Sequence, residues 1–333
     1  MMTGGRGGAV ITAVGHFFPS KVVPNSYFAS YLDTNDEWIV TRTGVRERRF
    51  YEEGPTSDMA EAAARSALAQ RGMSPAEVDT IIVATTTPDT IFPCTACIVQ
   101  HKLGAVRAWG FDLLAACSGF VYALTTAAKL VSGGASRNVL VIGADKMSSI
   151  LDMNDRATCI LFGDAAGAFL VEGTDDPSMG ILGHANICDG AGGPALIMPA
   201  GGSAMPTSAA TVAERLHYVH QDGPIVFKAA VKAMAEACQA LLQQHGLTVD
   251  DVAYVVPHQA NIRIIQSSMA RIPFPMERVM INLDRYGNTT AATIPTCIAE
   301  AQRKGQLKRG DNLVLLSFGA GFTCGALLVR WGS

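Results

Sequence analysis

Three residues far apart in the chain are of the types that carry out acyl chemistry: Cys117, His258 and Asn288. Cys117 stands where the short apolar run Leu113-Leu114-Ala115-Ala116 gives way to a helical pattern, Phe120 to Leu130. A helix start offers unpaired backbone N–H groups and the positive end of the macrodipole. A thiol placed there is expected to have its pKa drawn below the free value of about 8.5, raising the thiolate fraction at neutral pH. His258 and Asn288 fall at similar element boundaries downstream. Taken singly, each has an ordinary explanation: a small buried thiol, a core histidine on an apolar strand, a turn residue after Gly287. Brought together, they make a nucleophile with two hydrogen-bond donors.

A duplication supplies the elements that would bring them together. Gly72 to Val78 precedes the strand run Ile81-Ile82-Val83, and Gly246 to Val252 precedes Tyr254-Val255-Val256, an offset of 246 − 72 = 174. Asn138 to Ile142 matches Asn312 to Leu316 at the same offset, 312 − 138 = 174. The helical pattern Ser57 to Gln70 matches Phe227 to Gln244, and the helix opening at Cys117 matches one near Ala291. Only the last strands break step: Gly167 to Val171 faces Gly325 to Val329, where 325 − 167 = 158. Each half reads helix, strand, helix, strand, strand, with apolar runs too continuous for strands wetted on one face. Two such halves, 1–173 with the cysteine and 174–333 with the histidine and asparagine, predict a five-layered α-β-α-β-α fold of the α/β class. Ligands in such proteins gather at strand C-termini and helix N-termini, so the three residues are expected to converge.

Composition narrows the function classes. The 333 residues are 49% hydrophobic and only 17% charged, which argues for much buried surface, a subunit interface included. The net charge of −3 points to no nucleic-acid groove and no anionic membrane. The apolar stretch Leu113 to Val131 is interrupted by Ser118, Gly119, Thr125 and Thr126, and reads as a buried helix rather than a membrane span. Met1 to Val10 lacks the apolar core of a signal peptide, and the Gly-rich Met1 to Gly8 reads as a disordered start. Eight cysteines in an unsecreted chain of this size are expected to be free thiols in a reducing cytoplasm.

Seven ordered motifs carry a family resemblance over nearly the whole chain. They are Asn35 to Arg48, Ala116-Cys117-Ser118-Gly119-Phe120, Asp155 to Thr158, Gly163 to Ala168, Pro257-His258-Gln259-Ala260-Asn261, Tyr286-Gly287-Asn288-Thr289-Thr290 and Ser317 to Phe322. With them the sequence resembles ketoacyl-acyl-carrier-protein synthase III of the thiolase-like fold. A thiolase would use a second cysteine, and an elongating synthase a second histidine, where this chain has Asn288. Plant-type polyketide synthases share Cys-His-Asn, but the Trp38 to Arg48 stretch fits synthase III better. The resemblance implies that Cys117 takes an acyl group from an acyl-CoA, with the backbone N–H groups of Cys117 and Ala320 as oxyanion donors. His258, through Nε2–H, and Asn288 would then stabilise the charge formed when malonyl-carrier loses CO₂. No cofactor is implied; coenzyme A arrives as the thioester substrate.

By the same resemblance, Trp38 and Arg156 sandwich adenine, Thr34, Arg42 and Asn261 contact CoA, and Phe227 lines the tunnel. Lys228, Arg263 and Arg271 fall at or near carrier-docking positions, and Phe92 at the aromatic residue that closes the partner subunit's acyl pocket, implying a homodimer. Arg48 and Arg49 read as a solvated face pairing with Glu37 and Glu47. The chain departs from the family at Pro224, where an asparagine is frequent, and at Cys324, where a tryptophan is. Cys94-Thr95-Ala96-Cys97 has CxxC spacing but no second pair, and His217-Tyr218-Val219-His220 has no nearby acidic ligand, so neither is assigned a metal. The Gly/Pro/Ala-rich stretch Asp189 to Gly223 is long for a loop and is expected to shape the CoA entrance. Two other readings stay open beside the condensing enzyme: a Cys-His-Asn thioester hydrolase, and an acyltransferase or condensing enzyme of a secondary pathway. A non-catalytic acyl-CoA binder is disfavoured by the intact triad.

Overall fold

The computed structural model describes residues 7–332 and contains two mixed sheets of matching design. The first runs in the order Gly8–Phe17, Ala165–Thr174, Asn138–Asp145, Thr80–Ala84, Trp109–Leu113. The second runs Gly180–Cys188, Thr323–Arg330, Asn312–Gly319, Tyr254–Pro257. In both, the central pair is parallel and the next two pairings are antiparallel. The second sheet's counterpart of Trp109–Leu113 is reduced to a single parallel bridge, Val255 to Val279. Of the Gly-rich start Met1 to Gly8, residues 1–6 lie outside the described residues, while Gly8 opens the first strand, paired with Thr174, and is not part of a disordered start.

Strand periodicity sorts side chains into layers. Leu140 and Ile142 face outward onto the helices Thr56–Arg71 and Thr95–Leu103, packing with Met59, Ala63 and Val99. Val139 and Val141 face inward onto the central helices Gly119–Ser132 and Thr293–Arg303, beside Phe120, Leu124, Ile294 and Ile298. From the other side Leu313 and Leu315 meet the same helices, while Val314 and Leu316 turn outward to Gly223–Gln244 and Ile262–Arg271. The result is the α-β-α-β-α fold that the duplicated runs predict. These central strands are covered on both faces, which is why they read as unbroken apolar runs.

The broken offset has a structural origin. Asn138 pairs with Glu172 and Asn312 with Arg330, so the registers are equivalent although 330 − 172 = 158. Nineteen residues (146–164) join Asp145 to Ala165, against three (320–322) from Gly319 to Thr323, a difference of 16 that equals 174 − 158. The longer connection in the first half carries Arg156 and several cavity residues.

Two expectations need correction. Arg48 is not on a solvated face: it is fully buried, donates to the Val23 and Ile160 carbonyls and to Asn25 Oδ1, and lies over the Phe28 ring. Strand alternation drives it inward at Glu47–Phe50, whereas its neighbour Arg49 does pair with Glu47, at 2.8 Å. The stretch Asp189 to Gly223 is not a structureless loop. It holds the two-residue pairing of Leu196–Ile197 with His220–Gln221 and a short helix, Ala209–Ala213, opened by a Ser208 capping box.

The sheets and central helices meet without slack at Gly143, where a Cβ would stand 2.4 Å from the Ala291 carbonyl oxygen at the start of the second central helix. Gly143→Ala is expected to cost on the order of 1–3 kcal/mol by overpacking, read as a lower urea midpoint. An unchanged midpoint would show that the helix start yields freely there.

Candidate active site

Both central helices open in the same unusual way. Ala116 and Thr290, related by 290 − 116 = 174, have φ of +46° and +49°, and each begins a single 3₁₀ turn that leads into its helix. For residues bearing a Cβ this is a costly backbone conformation, held only where the surroundings over-determine it. Around Cys117 the clasp is polar: Ser118 Oγ donates to the Thr323 carbonyl at 3.1 Å, and Thr323 Oγ1 donates to the Ala115 carbonyl at 3.0 Å. Gly319 lies directly against the turn, since a Cβ there would stand 2.7 Å from Cys117 N.

His258 follows the strand Tyr254–Pro257 and is 3% exposed. Its Nδ1 lies 2.8 Å from Thr293 Oγ1, and that hydroxyl donates to the Thr290 carbonyl at 3.0 Å. With its hydrogen so used, Oγ1 accepts from Nδ1–H, an assignment that leaves Nε2 bare. The reverse assignment, with Thr293 Oγ1 donating to Nδ1, gives the Nε2–H expected from the sequence, and the 2.8 Å contact fits both. Asn288 is anchored by its own backbone, N–H to the Leu161 carbonyl at 2.8 Å and carbonyl to Gly163 N–H at 3.0 Å. Its Oδ1 accepts from Thr290 N–H at 2.9 Å, which leaves the amide N–H₂ as the free end.

The expected low thiol pKa does not hold. Burial pushes the Cys117 thiol up to about 12, the Asp145 carboxylate adds to the rise, and the residue's own backbone N–H opposes it only partly. Burial also lowers His258 to about 3, against a smaller opposing effect of the Thr290 backbone. Helix-start stabilisation is outweighed because the turn is enclosed and no cation stands beside the sulfur. The pair is therefore a neutral thiol and a neutral imidazole.

Cys117, His258 and Asn288 line one cavity of about 1090 Å³, together with Ala320, Trp38, Arg42, Arg156, Phe227, Asn261 and Arg263. Its walls are mostly apolar, with Met147, Phe162, Leu196 and Val219 among them. Trp38 and Arg42 sit on the helix Asp36–Thr43, capped by Asn35 Oδ1 at one end and by Gly44 (φ +82°) at the other. The Arg156 guanidinium lies 4.9 Å from the Trp38 ring centre, closer than the about 7 Å that an intervening flat ring would need. A base entering that slot must displace the Arg156 side chain. The Asn261 side chain is engaged at both ends, capping Ile262–Arg271 through Arg263 N–H and donating to the Arg42 carbonyl at 3.0 Å.

Thr34, Lys228, Arg271 and Phe92 are not among the cavity-lining residues. Thr34 is half-buried, Lys228 and Arg271 are exposed on the second half's outer helices, and Phe92 is 84% exposed on the first half. Pro224 lines the mouth in the first turn of Gly223–Gln244, where a backbone N–H would lack a helical partner. Cys324 is buried beside Phe318 and Phe322 in the second-half core. Cys94 and Cys97 are free thiols 3.3 Å apart. Among the described residues no group of three or more His, Cys, Asp or Glu is arranged to hold a metal, and no helix is long and apolar enough to cross a membrane. Sequence reasoning missed Thr290, Thr293, Gly319 and Asp145; the offset of 174 that pairs Asp145 with Gly319 was the available signal.

Comparison with known proteins agrees with this geometry. The families described as 3-oxoacyl-(acyl-carrier-protein) synthase III and as its C-terminal part match residues 111–190 and 242–331. The chain is 52% identical to beta-ketoacyl-(acyl-carrier-protein) synthase III of Solibacter usitatus, over 97% of this chain and 98% of that one. Against the corresponding enzyme of Chlorobaculum tepidum the figures are 50%, 97% and 99%. The solved synthase III of Aquifex aeolicus superposes with a TM-score of 0.90 at 41% identity, covering 97% of this chain and all of that one. The priming beta-ketosynthase of the R1128 polyketide pathway superposes at 0.92 with 34% identity, covering 100% and 99%. A helix-start cysteine facing a histidine and an asparagine from a duplicated half, with relatives of half-identical sequence along nearly its full length, places this chain in the beta-ketoacyl-acyl-carrier-protein synthase III family.

Proposed function

We propose that the protein condenses an acyl-CoA primer, acetyl-CoA in the simplest case, with malonyl-acyl-carrier-protein, releasing CO₂ and CoA and giving the 3-ketoacyl-carrier that initiates fatty acid synthesis. The observation that carries this reading is the shared cavity of Cys117, His258 and Asn288. Cys117 Sγ attacks the thioester carbonyl while its proton passes to His258 Nε2, which hands it to the departing CoA sulfur. The backbone N–H groups of Cys117 and Ala320 receive the oxyanion. Malonyl-carrier then loses CO₂, and its thioester oxygen gains charge facing the Asn288 amide and the neutral His258 ring, whose Nε2–H is available when Thr293 Oγ1 donates to Nδ1. The resulting carbanion attacks the acyl carbon, the Cys117 sulfur departs, and it takes a proton from water.

The remaining assignments follow the same reading. Trp38 and Arg156 hold adenine, Thr34, Arg42 and Asn261 lie along the CoA path, and Phe227 lines the tunnel. Lys228, Arg263 and Arg271 supply the cationic face for an acidic carrier. The two halves divide at 173/174. A homodimer is supported by an apolar surface at the outer edge of the first sheet. There Ile91 and Phe92 are each 84% exposed, Val106 77%, Trp109 50% and Leu114 76%, beside the unpaired edge of Trp109–Leu113. Phe92 of each subunit would reach the other's acyl pocket. The likeness to a polyketide priming synthase favours, as a second reading, the same condensation in a secondary pathway.

Intact-mass measurement tests the chemistry. Acetyl-CoA is expected to leave one acetyl group on Cys117, which disappears as 3-ketoacyl-carrier forms on adding malonyl-carrier. An adduct lost only to water would support a hydrolase instead. Asn288→Ala is expected to keep the adduct and to slow malonyl-carrier decarboxylation by about 10²-fold, whereas equal loss of both steps would remove Asn288 from its role. The pH dependence has a definite sign. Because His258 is lowered to about 3, its proton-accepting form persists well below the ordinary histidine range. Adduct formation should therefore stay within about twofold between roughly pH 5.5 and 7.5, and a tenfold fall per unit below about 6.5 would show an ordinary imidazole. Sedimentation should give a dimer, and Trp109→Lys a monomer; a wild-type monomer would refute the shared pocket.

A further inference from the structure

Asp145 ends the first sheet's central strand, is fully buried, and has no task in the chemistry above. Six hydrogen bonds converge on it. Oδ1 accepts from Thr86 N–H at 2.7 Å, Thr86 Oγ1 at 2.8 Å, and Thr85 and Thr87 Oγ1 at 3.2 Å each. Oδ2 accepts from Thr290 Oγ1 and from Ala291 N–H, the latter at 3.2 Å. The adjacent lysine does not neutralise it, since Lys146 Nζ donates to the Gly54 carbonyl.

The duplication gives this arrangement a meaning. Ala291 is the twin of Cys117 (291 − 117 = 174), and Asp145 is the twin of Gly319 (319 − 145 = 174). In the second half, a carboxylate oxygen occupies the N–H at the helix-start turn. In the first half the twin position is a glycine packed against Cys117 N, so no side chain fills that place. We propose that Asp145 is a positioning residue for decarboxylation: a built-in anion, seated at the twin of the oxyanion position, that pins the Thr290–Ala291 turn and through it both His258 and Asn288.

The linkage is direct. Thr290 N–H sets the Asn288 amide, at 2.9 Å, and the Thr290 carbonyl receives the Thr293 hydroxyl that holds His258 Nδ1. Thr290 is a β-branched residue at φ +49°, a conformation that needs external support. Only a carboxylate supplies it in full, because each oxygen accepts one backbone N–H, from Thr86 and from Ala291; an amide has one acceptor oxygen. Asp145 thereby ties the loop after Thr80–Ala84 to the second half's helix start. The proposal rests on the condensing reading above.

The test uses the full-length protein with Asp145→Asn, Thr290→Val and Thr290→Ser. Two rates are measured: acetyl adduct formation on Cys117, and CO₂ release from malonyl-carrier. Asp145→Asn is expected to slow CO₂ release by about 10²-fold and adduct formation by less than about tenfold, since CO₂ release uses both Asn288 and His258 as donors whereas adduct formation uses His258 alone. Thr290→Val should show the same split, and Thr290→Ser should stay within about threefold of wild type because it keeps the hydroxyl. Equal losses in both steps, no loss, or a serine variant as impaired as the valine would overturn the proposal. Should Asp145→Asn fail to fold, the Thr290 pair decides alone. A wild-type protein that releases no CO₂ overturns the condensing reading itself, whereas an active wild type with indifferent variants overturns only the role of Asp145.

Discussion

The structure depends on the demand of two helix starts, buried between sheets, for hydrogen-bond acceptors. The first N–H groups of a helix have no partner within it, and leaving one unpaired away from water is costly. In the second half Asp145 meets part of this demand from across the sheet boundary, with Ala291 N–H on its Oδ2. In the first half Gly319 brings bare backbone to the same place beside Cys117. One fold has therefore solved one problem twice, once with its own carboxylate and, in the proposed chemistry, once by leaving room for a transient anion. The two positive-φ residues, Ala116 and Thr290, are the backbone signature of the shared solution.

From this follows the asymmetry of the site. At the offset of 174 the twins of His258, Asn288 and Cys117 are Ala84, Leu114 and Ala291. None of the three can donate, accept or attack through its side chain. The duplicated scaffold places reactive groups at one of two equivalent junctions, with the cysteine from one half and the donors from the other. A site divided in this way is held by the inner layer of the sandwich, where Phe120, Leu124, Ile294 and Ile298 lock the central helices together. Its geometry is then as rigid as the core.

How much of this was readable follows from what periodicity encodes. The runs Ile81-Ile82-Val83 and Val314-Leu315-Leu316 are buried on both faces, so their unbroken apolar character betrayed both the sheets and the duplication. The strands Gly8–Phe17 and Gly180–Cys188 are harder to read, because each ends its sheet: the apolar residues of the first are interrupted by Thr12, Gly15 and His16, and the second is mostly half-buried or exposed. Arg48 was misplaced because a charge in sequence looks solvated, while its partners, the Val23 and Ile160 carbonyls, are backbone groups that sequence does not reveal. The thiol's protonation was misjudged for a related reason. A helix start is legible in sequence, but the depth at which it is buried is a property of the packed layers.

That depth bears on how the nucleophile is controlled. A thiolate beside an imidazolium would place two charges in a cavity whose walls are largely apolar, and separating them from water is expensive. With the thiol raised to about 12 and the imidazole lowered to about 3, the uncharged pair is the resting state. In the proposed chemistry charge develops only when an acyl thioester offers its carbonyl to the backbone donors, so substrate binding and proton transfer are coupled. The thiolate, not the thiol, is also the form that oxidants and electrophiles attack. A sulfur kept protonated until its substrate arrives is inert to them, and the same burial that delays its ionisation strengthens the hydrogen bonds formed once ionisation occurs.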